Sequence, residues 1–571
     1  MSKEVEMTIT RETKAKPTAV PTNETKAKTK ADTKTKDTTK FRSFRVKTVV
    51  NKDGSESTVV EFHSAALRNF MRENTNIENI YDDFPVIDVY DLFNALDMIK
   101  MRSQRTNETA LVAEFVKFIE QENTVLMGRT KNMLEAGRIS FGMLKFLLAP
   151  GTEIEIHGEE LSGGRVVDVE YGSSMFGQFI QIQYETVSTN GRSFIRARDS
   201  LRIPAFKGVR SIDNMPVRLI SPERKAALSE RGKTYAKVGI GSAYMNYQGH
   251  MEVKKWWSWD QMRADGRIMA DHATYGQFVN EYNDPEEDDL QIKEIDEASL
   301  WMTEPYIKGF SFATKQWGRF ALSRISDIEF RDEAFDQLVL AEDKKELVRA
   351  LVTNGTGGFE DIISGKGGGC IFLLHGEPGV GKTLTAEAIA ELLHRPLYSV
   401  SVGELGVNTT DLEKNLRQIL DVAQIWNAVI LIDEADIFLE KRGNDIVRTA
   451  MTSIMLRLLE YHQGVMFLTT NRVGEFDTAF YSRISVALKY QSLTDDAREQ
   501  IWTNLLAAAK VTGLDPAELA KIKINGRQIK NTIRLAQGLA SQSGIPVNTQ
   551  HIMQCLDISV QFLEDMKSSN Y

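Results

Sequence analysis

Glycines, a lysine and a hydroxyl stand at fixed intervals in Gly376-Glu377-Pro378-Gly379-Val380-Gly381-Lys382-Thr383-Leu384, directly after the apolar run Cys370-Ile371-Phe372-Leu373-Leu374. An apolar strand, a glycine turn and then a helix is the order in which backbone N–H groups close around a phosphate. The helix that follows aims its positive N-terminal end at the same anion. Lys382 adds a point charge for the outer phosphates, and the Thr383 hydroxyl is suited to Mg²⁺. The chemistry implied is the binding of a nucleoside triphosphate.

A second apolar run, Val429–Ile432, ends in Asp433-Glu434. At the carboxyl end of a parallel strand these carboxylates lie beside the phosphate loop, where α/β sheets place ligands. Asp433 is expected to hold Mg²⁺ together with Thr383, and Glu434 to polarise an attacking water. A third run, Val465–Leu468, leads into Thr469-Thr470-Asn471, which places Asn471 to hydrogen-bond that water or the terminal phosphate. Near the C-terminus Gly526-Arg527-Gln528 opens a helix, and Arg527 is expected to reach back to the γ-phosphate and couple lid closure to nucleotide state. Arg483 follows in Ser482-Arg483-Ile484, a position that by itself reads as a surface charge.

These residues need a scaffold, and the apolar pattern supplies one. From 330 to 493 near-continuous apolar runs alternate with helical periodicity, as for parallel strands buried on both faces in a three-layer α/β core. Thr410-Asp411-Leu412-Glu413 reads as a capping box opening the second helix. Helical patterns at 497–510, 516–522, 527–541 and 547–566 give an all-α lid over 494–571. Upstream, 41–135 is mixed, with strand signals at Phe44, Val46 and Val59–Phe62 and helical periodicity at 88–101 and 111–118. Residues 136–281 are β-rich, with Phe179–Val187 alternating at period two. Residues 282–329 read as an acidic linker followed by an aromatic docking segment, Pro305–Phe320. Residues 1–40, rich in Lys and Thr, read as a disordered tail, either a plain solvated extension or a basic arm for RNA or acidic lipid. Trp256-Trp257-Ser258-Trp259 reads as core or edge cover, or as a stacking surface.

Composition narrows the function classes. The chain has 571 residues, 42% apolar and 26% charged, with a formal net charge of −9. That length implies several structural units, and the charge gives no global push toward nucleic acid or anionic membrane. The two cysteines, Cys370 and Cys555, have no partner at ligand spacing, which argues against a zinc site and for a reducing compartment. No apolar run reaches the roughly 18–20 residues that cross a bilayer. The expected location is cytoplasm or nucleus, with a mitochondrial one disfavoured by Glu4, Glu6 and Glu12 among the early basic residues.

With phosphate loop, Asp-Glu, Asn, arginine and helical lid in that order, 330–571 resembles an AAA+ ATPase. Leu373–Gly376, Gly381–Glu387, Leu459-Glu460-Tyr461 and Leu468–Arg472 are similar to a group of fungal AAA-type ATPases whose N-terminal half is poorly characterised. Phe146–Gly151, Tyr244–Gly249 and Gly266–Met269 through Tyr275 resemble that group's N-terminal domain. The resemblance implies the fold class: a P-loop NTPase (AAA+) α/β core with a C-terminal all-α lid, preceded by a β-rich α+β domain and a disordered tail. It implies ATP and Mg²⁺ as cofactors, hydrolysis, and a homo-oligomer of six subunits with sites between them. It gives Arg483 the role of an arginine finger supplied in trans. Two departures stand out. The loop Gly403–Thr409, where threading motors of this family carry an aromatic residue, has none, and Arg483 stands alone where related chains place two arginines.

Three functions follow as expectations. The first is an ATP-driven motor remodelling a protein client of unknown identity. The second is a nucleotide-dependent adaptor with little turnover. The third is a nucleic-acid-dependent ATPase, which the overall acidity argues against.

Overall fold

A computed structural model describes residues 35–568, apart from 42, 51–55, 76, 90–91, 93–94, 97–98, 101–108, 176, 257, 280–289, 355–368, 407, 442–445 and 473–475. The chain divides into two compact units, one of residues up to 147 with 204–215, the other of 148–203 with 216–571.

In the first unit, strands Thr35–Lys40, Phe44–Val50, Glu56–Phe62 and Val86–Asp88 form an antiparallel sheet in chain order. The expected tail therefore ends before residue 35, and the rest of it lies outside the described residues. β-branched threonines at 35, 38 and 39 suit a strand once Phe44–Val50 offers a partner. Helix Thr109–Glu135 carries the expected pattern at 111–118 and buries Val112, Phe115 and Ile119 against Phe44, Val60 and Phe62. Of the helix expected at 88–101, Asp88 closes a strand, while Val89, Leu92 and Ile99 are helical and buried. The expected boundary at 135 moves. Strand Arg138–Ser140 pairs with Val209–Ser211 inside this same unit, a register set by residues 69 to 73 positions apart that no local pattern shows.

The second unit begins with two antiparallel sheets. One is ordered Val217–Leu219, Glu153–His157, Leu161–Ser174, Gly177–Thr189, Phe194–Pro204 and Leu290–Ile292. The other is ordered Trp259–Arg263, His250–Lys254, Gln316–Ala321, Tyr306–Ser311, Gly266–Ala270, Ala243–Tyr247 and Ile325–Ser326. The stretch read as a docking segment thus supplies two interior strands, through pairs such as Ile268 with Ser311. Its aromatic residues still dock, as shown below. The acidic part of the expected linker, Asp284–Asp289, lies outside the described residues. Trp256 is 93% exposed, so it fills no core, whereas Trp259 is half-buried beneath the Arg319 guanidinium, 4.1 Å from its ring centre. Trp257 is not among the described residues.

The α/β core follows. Its strands are β1 (Cys370–Gly376), β2 (Leu397–Val400), β3 (Val429–Ile432), β4 (Val465–Thr470) and β5 (Val486–Tyr490). They form a parallel sheet ordered β2-β3-β4-β1-β5. Helices α1 (Lys382–Leu392), α2 (Thr409–Ile425) and α3 (Ile446–Glu460) cover it. Side chains alternate across a strand, and here both faces are buried. Phe372, Leu374, Leu431 and Phe467 pack with α1, while Leu373, Ile430, Ile432, Met466 and Leu468 pack with α2 and α3. The near-continuous apolar runs are the sequence trace of that double burial. The cap of α2 is Asn408, whose side chain accepts the Asp411 N–H at 2.8 Å, rather than Thr410. The lid comprises α4 (Asp495–Ala508), α5 (Pro516–Ala520), α6 (Gly526–Ser543) and α7 (Thr549–Ser568), close to the expected spans. Among the described residues no helix is long and apolar enough to cross a membrane.

The core and the second antiparallel sheet share one apolar cluster. Met269 and Phe310 belong to the same packed group as Leu416, Val422, Trp426 and Met455. Phe310 stacks on Tyr398 at 5.5 Å, and Phe312 and Trp317 both meet Trp426 at 5.7 Å. The Trp426 indole N–H donates to Asp271 Oδ2 at 2.8 Å. A buried indole needs such an acceptor. At the tip of the Tyr306–Ala321 hairpin, Lys315 meets Glu404 at 2.5 Å.

Candidate nucleotide site

β1 ends at Gly376 and α1 begins at Lys382, so the intervening turn lies at the carboxyl edge of the sheet. Two of its glycines are sterically required. A Cβ on Gly376 would fall 2.3 Å from the Tyr490 carbonyl oxygen of β5, and at Gly379, with φ +80°, it would strike the Asn525 side chain. Val380 turns inward to the core, whereas Glu377, Pro378 and Leu384 are exposed. The loop thus offers backbone, not side chains, to a ligand. The first turn of α1 points its N–H groups into the same space.

Lys382 is buried, and its ammonium donates to the Gly376 carbonyl (2.8 Å), the Glu377 carbonyl (2.7 Å) and Asn471 Oδ1 (2.9 Å). Burial pulls its pKa below the ordinary lysine value, against the opposing pull of Asp433 and Asp436. The pKa of His375, at the end of β1, is lowered too, by burial first and then by the cations Lys489, Lys344 and Lys382. The fold therefore gathers positive charge and desolvation at the place where an anion would relieve both.

β3 delivers the carboxylates to this loop. The Thr383 hydroxyl lies 3.3 Å from each Asp433 carboxylate oxygen. Glu434 is exposed, and its side chain makes no hydrogen bond among the described residues. Its backbone sits at φ +54°, the left-handed region, which costs a non-glycine residue about 1–3 kcal/mol. The Thr469 hydroxyl of β4 accepts the Glu434 N–H at 3.0 Å and donates to Asp433 Oδ1. Thr470 Oγ1 donates to Asp436.

Lys382, Thr383, Asp433, Glu434 and Asn471 thus converge as the sequence suggests. Arg527 is exposed, and its charge reaches Lys382. α6 starts over the loop, with the Gly526 N–H donating to the Gly379 carbonyl at 3.0 Å. Arg483 lies elsewhere. Its guanidinium donates to the Leu456 carbonyl (3.0 Å), the Ala479 carbonyl (3.0 Å) and Glu460 Oε2 (2.9 Å), holding it at the C-terminal end of α3. Sequence reasoning missed Asn525, Thr469 and Tyr490. The spacing Asn525-x-x-Gln528 is a capping box that could have marked the first. Thr469 and Tyr490 act through neighbouring strands and leave no local signal.

The residues fit Mg²⁺. A hydroxyl and a carboxylate facing each other are hard oxygen donors, and Mg²⁺ takes few such ligands from protein and the rest from phosphate and water. Among the described residues no three His, Cys, Asp or Glu gather into a metal site of their own.

Comparison with known proteins agrees with this geometry. Residues 372–491 match the family described as "ATPase family associated with various cellular activities (AAA)". Residues 129–222 match a "Domain of unknown function (DUF7025)". The human "ATPase family AAA domain-containing protein 3B" is 27% identical over 184 residues, 30% of this chain and 28% of that protein. Spastin of Drosophila erecta is 29% identical over 201 residues, 33% of this chain and 26% of that protein. The aligned stretch spans about a quarter of the length of these relatives. Residues 372–491 are therefore an AAA domain, distantly homologous to the AAA ATPases and built on a parallel α/β core.

Proposed function

We propose that this chain binds ATP with Mg²⁺, hydrolyses it, and works as an oligomer that remodels a protein client. The observation that carries the reading is the meeting of Lys382 with Asn471 and of Thr383 with Asp433 at one edge of the sheet, beside an exposed Glu434. In this reading the loop amides and the α1 N-terminus bind the phosphates, and Lys382 exchanges Asn471 for a phosphate oxygen. Asn471 is then released to orient water. Glu434, open to solvent, accepts the proton of that water. Thr383 and Asp433 would hold Mg²⁺, which would supply neutralisation of phosphate charge. Arg527, on the lid helix that starts over Gly379, senses the outer phosphate and links lid position to nucleotide state.

Arg483 enters this scheme in trans. To reach a neighbouring site it must leave Glu460 and Leu456, so assembly would trade an internal ion pair for a phosphate contact. The shared cluster around Trp426, with Asp271 and the Lys315–Glu404 pair, supports a particular mode of work. The antiparallel sheet would move with the core as one body, and the short helix Val402–Leu405 holding Glu404 would serve as its seat rather than as a grip on a threaded client.

Multiple-turnover ATPase assays on the purified chain test the reading, with Glu434→Gln as the trap. Expected are turnover by the wild type, and a stable ATP-bound oligomer of the variant in gel filtration. Wild-type release of phosphate at the rate of Lys382→Ala would instead favour an adaptor that binds nucleotide without turnover.

A further inference from the structure

We infer that Thr469 is the positioning residue for both carboxylates of the site, an inference that rests on the ATP-hydrolysing reading above. Thr469 is the penultimate residue of β4, and it is 1% exposed. It holds three consecutive residues of the turn that leaves β3. Its hydroxyl donates to Asp433 Oδ1 and accepts the Glu434 N–H at 3.0 Å. Its carbonyl accepts the Ala435 N–H at 2.9 Å.

Both hydroxyl bonds bear on the chemistry. The bond to Asp433 orients the carboxylate, whose two oxygens then sit equally, 3.3 Å, from the Thr383 hydroxyl. The bond from Glu434 satisfies a backbone donor in a residue whose φ of +54° is otherwise disfavoured. With its main chain held there, Glu434 presents its side chain to solvent. The adjacent Thr470 does different work, donating to Asp436 and accepting the Arg472 N–H at 2.9 Å. A valine at 469 keeps the shape of threonine while removing both hydroxyl bonds, and a serine keeps both.

The test compares Thr469→Val with Thr469→Ser in the full chain. For the valine variant kcat is expected to fall about 10–100-fold, the range seen when a partner of a metal-ligating side chain is removed. KM for ATP should stay within about threefold, because the phosphate loop is untouched. The serine variant should retain most of kcat. Isothermal titration of ATP in MgCl₂ and in EDTA gives a second readout. The tightening by Mg²⁺ should shrink for the valine variant, with binding in EDTA unchanged. Wild-type kcat together with a full Mg²⁺ increment in Thr469→Val would overturn the inference. A serine variant as impaired as the valine one would also overturn it, since packing and not the hydroxyl would then matter. If the wild type itself shows no turnover, the hydrolysis reading fails, while the Mg²⁺ increment still decides the role of Thr469.

Discussion

At the carboxyl ends of β1, β3 and β4, buried Lys382, Thr469 and Thr470 stand beside exposed Glu434 and Asn471. On the face of the same sheet beneath α2 and α3, ring packs on ring and even the Trp426 indole N–H has its acceptor. Among the described residues Lys382 is bound to groups it can give up, two carbonyls and an amide oxygen. Trp426 is bound to Asp271, which also caps the His272–Val279 helix through the Thr274 N–H at 2.8 Å. One edge of the core keeps its interactions exchangeable. The other fixes a second sheet in place. The proposed function needs both, because a shift made at the loose edge is transmitted only through a stiff joint.

Substitution at the loose edge should abolish activity and spare the fold. Glu434→Gln should lower kcat about 10²–10⁴-fold, as for loss of a general base, with an unchanged denaturant midpoint. A variant that unfolds earlier would show that the carboxylate is structural. The joint should behave in the opposite way. Trp426→Ala should destabilise the second unit by about 3–5 kcal/mol in denaturant titration, yet leave ATP affinity of the folded fraction intact. Equal loss of affinity would mean that the two regions are not separable.

The third test concerns His462, which follows α3 at the rim where β4 begins, away from the nucleotide edge. Burial lowers its pKa to about 4. An unfolded imidazole titrates near about 6.5, so between those values the unfolded chain binds more protons than the folded one. Stability therefore falls as pH drops from about 6.5 to about 4, by up to about 3 kcal/mol. In His462→Leu the slope of melting temperature against pH should flatten over that window. An unchanged slope would assign the acid sensitivity to other groups.

The smallest effect is expected at the hairpin tip. Lys315 and Glu404 are both partly exposed, so Lys315→Glu should cost about 1 kcal/mol or less in stability. If the pair seats the antiparallel sheet on a moving Val402–Leu405 helix, the same substitution should alter the ATPase rate beyond what that loss explains, and Glu404→Lys should restore it in the double variant.

The site was legible because its parts sit at strand ends, where a short apolar run names the element and the next residue names the chemistry. Lys382, Thr383, Asp433, Glu434 and Asn471 were all readable in that way. The lid helices were readable from their periodicity. Arg483 was not, since only packing shows that Glu460 and the Leu456 and Ala479 carbonyls hold it. The interior strands Tyr306–Ser311 and Gln316–Ala321 read from sequence as a docking segment, because antiparallel pairing with Gly266–Ala270 is a contact between distant residues.

By itself, then, the sequence determined which side chains carry charge, which runs are buried on both faces and where the chain must turn on glycine. These are local consequences of hydrophobicity, period and allowed φ. Tertiary structure alone decided that Thr469 holds Asp433 and Glu434, that Lys382 rests on Asn471, and that Phe310 and Trp426 close one core. Each of those contacts joins residues from separate strands or sheets, and their geometry comes into being only when the strands are laid side by side.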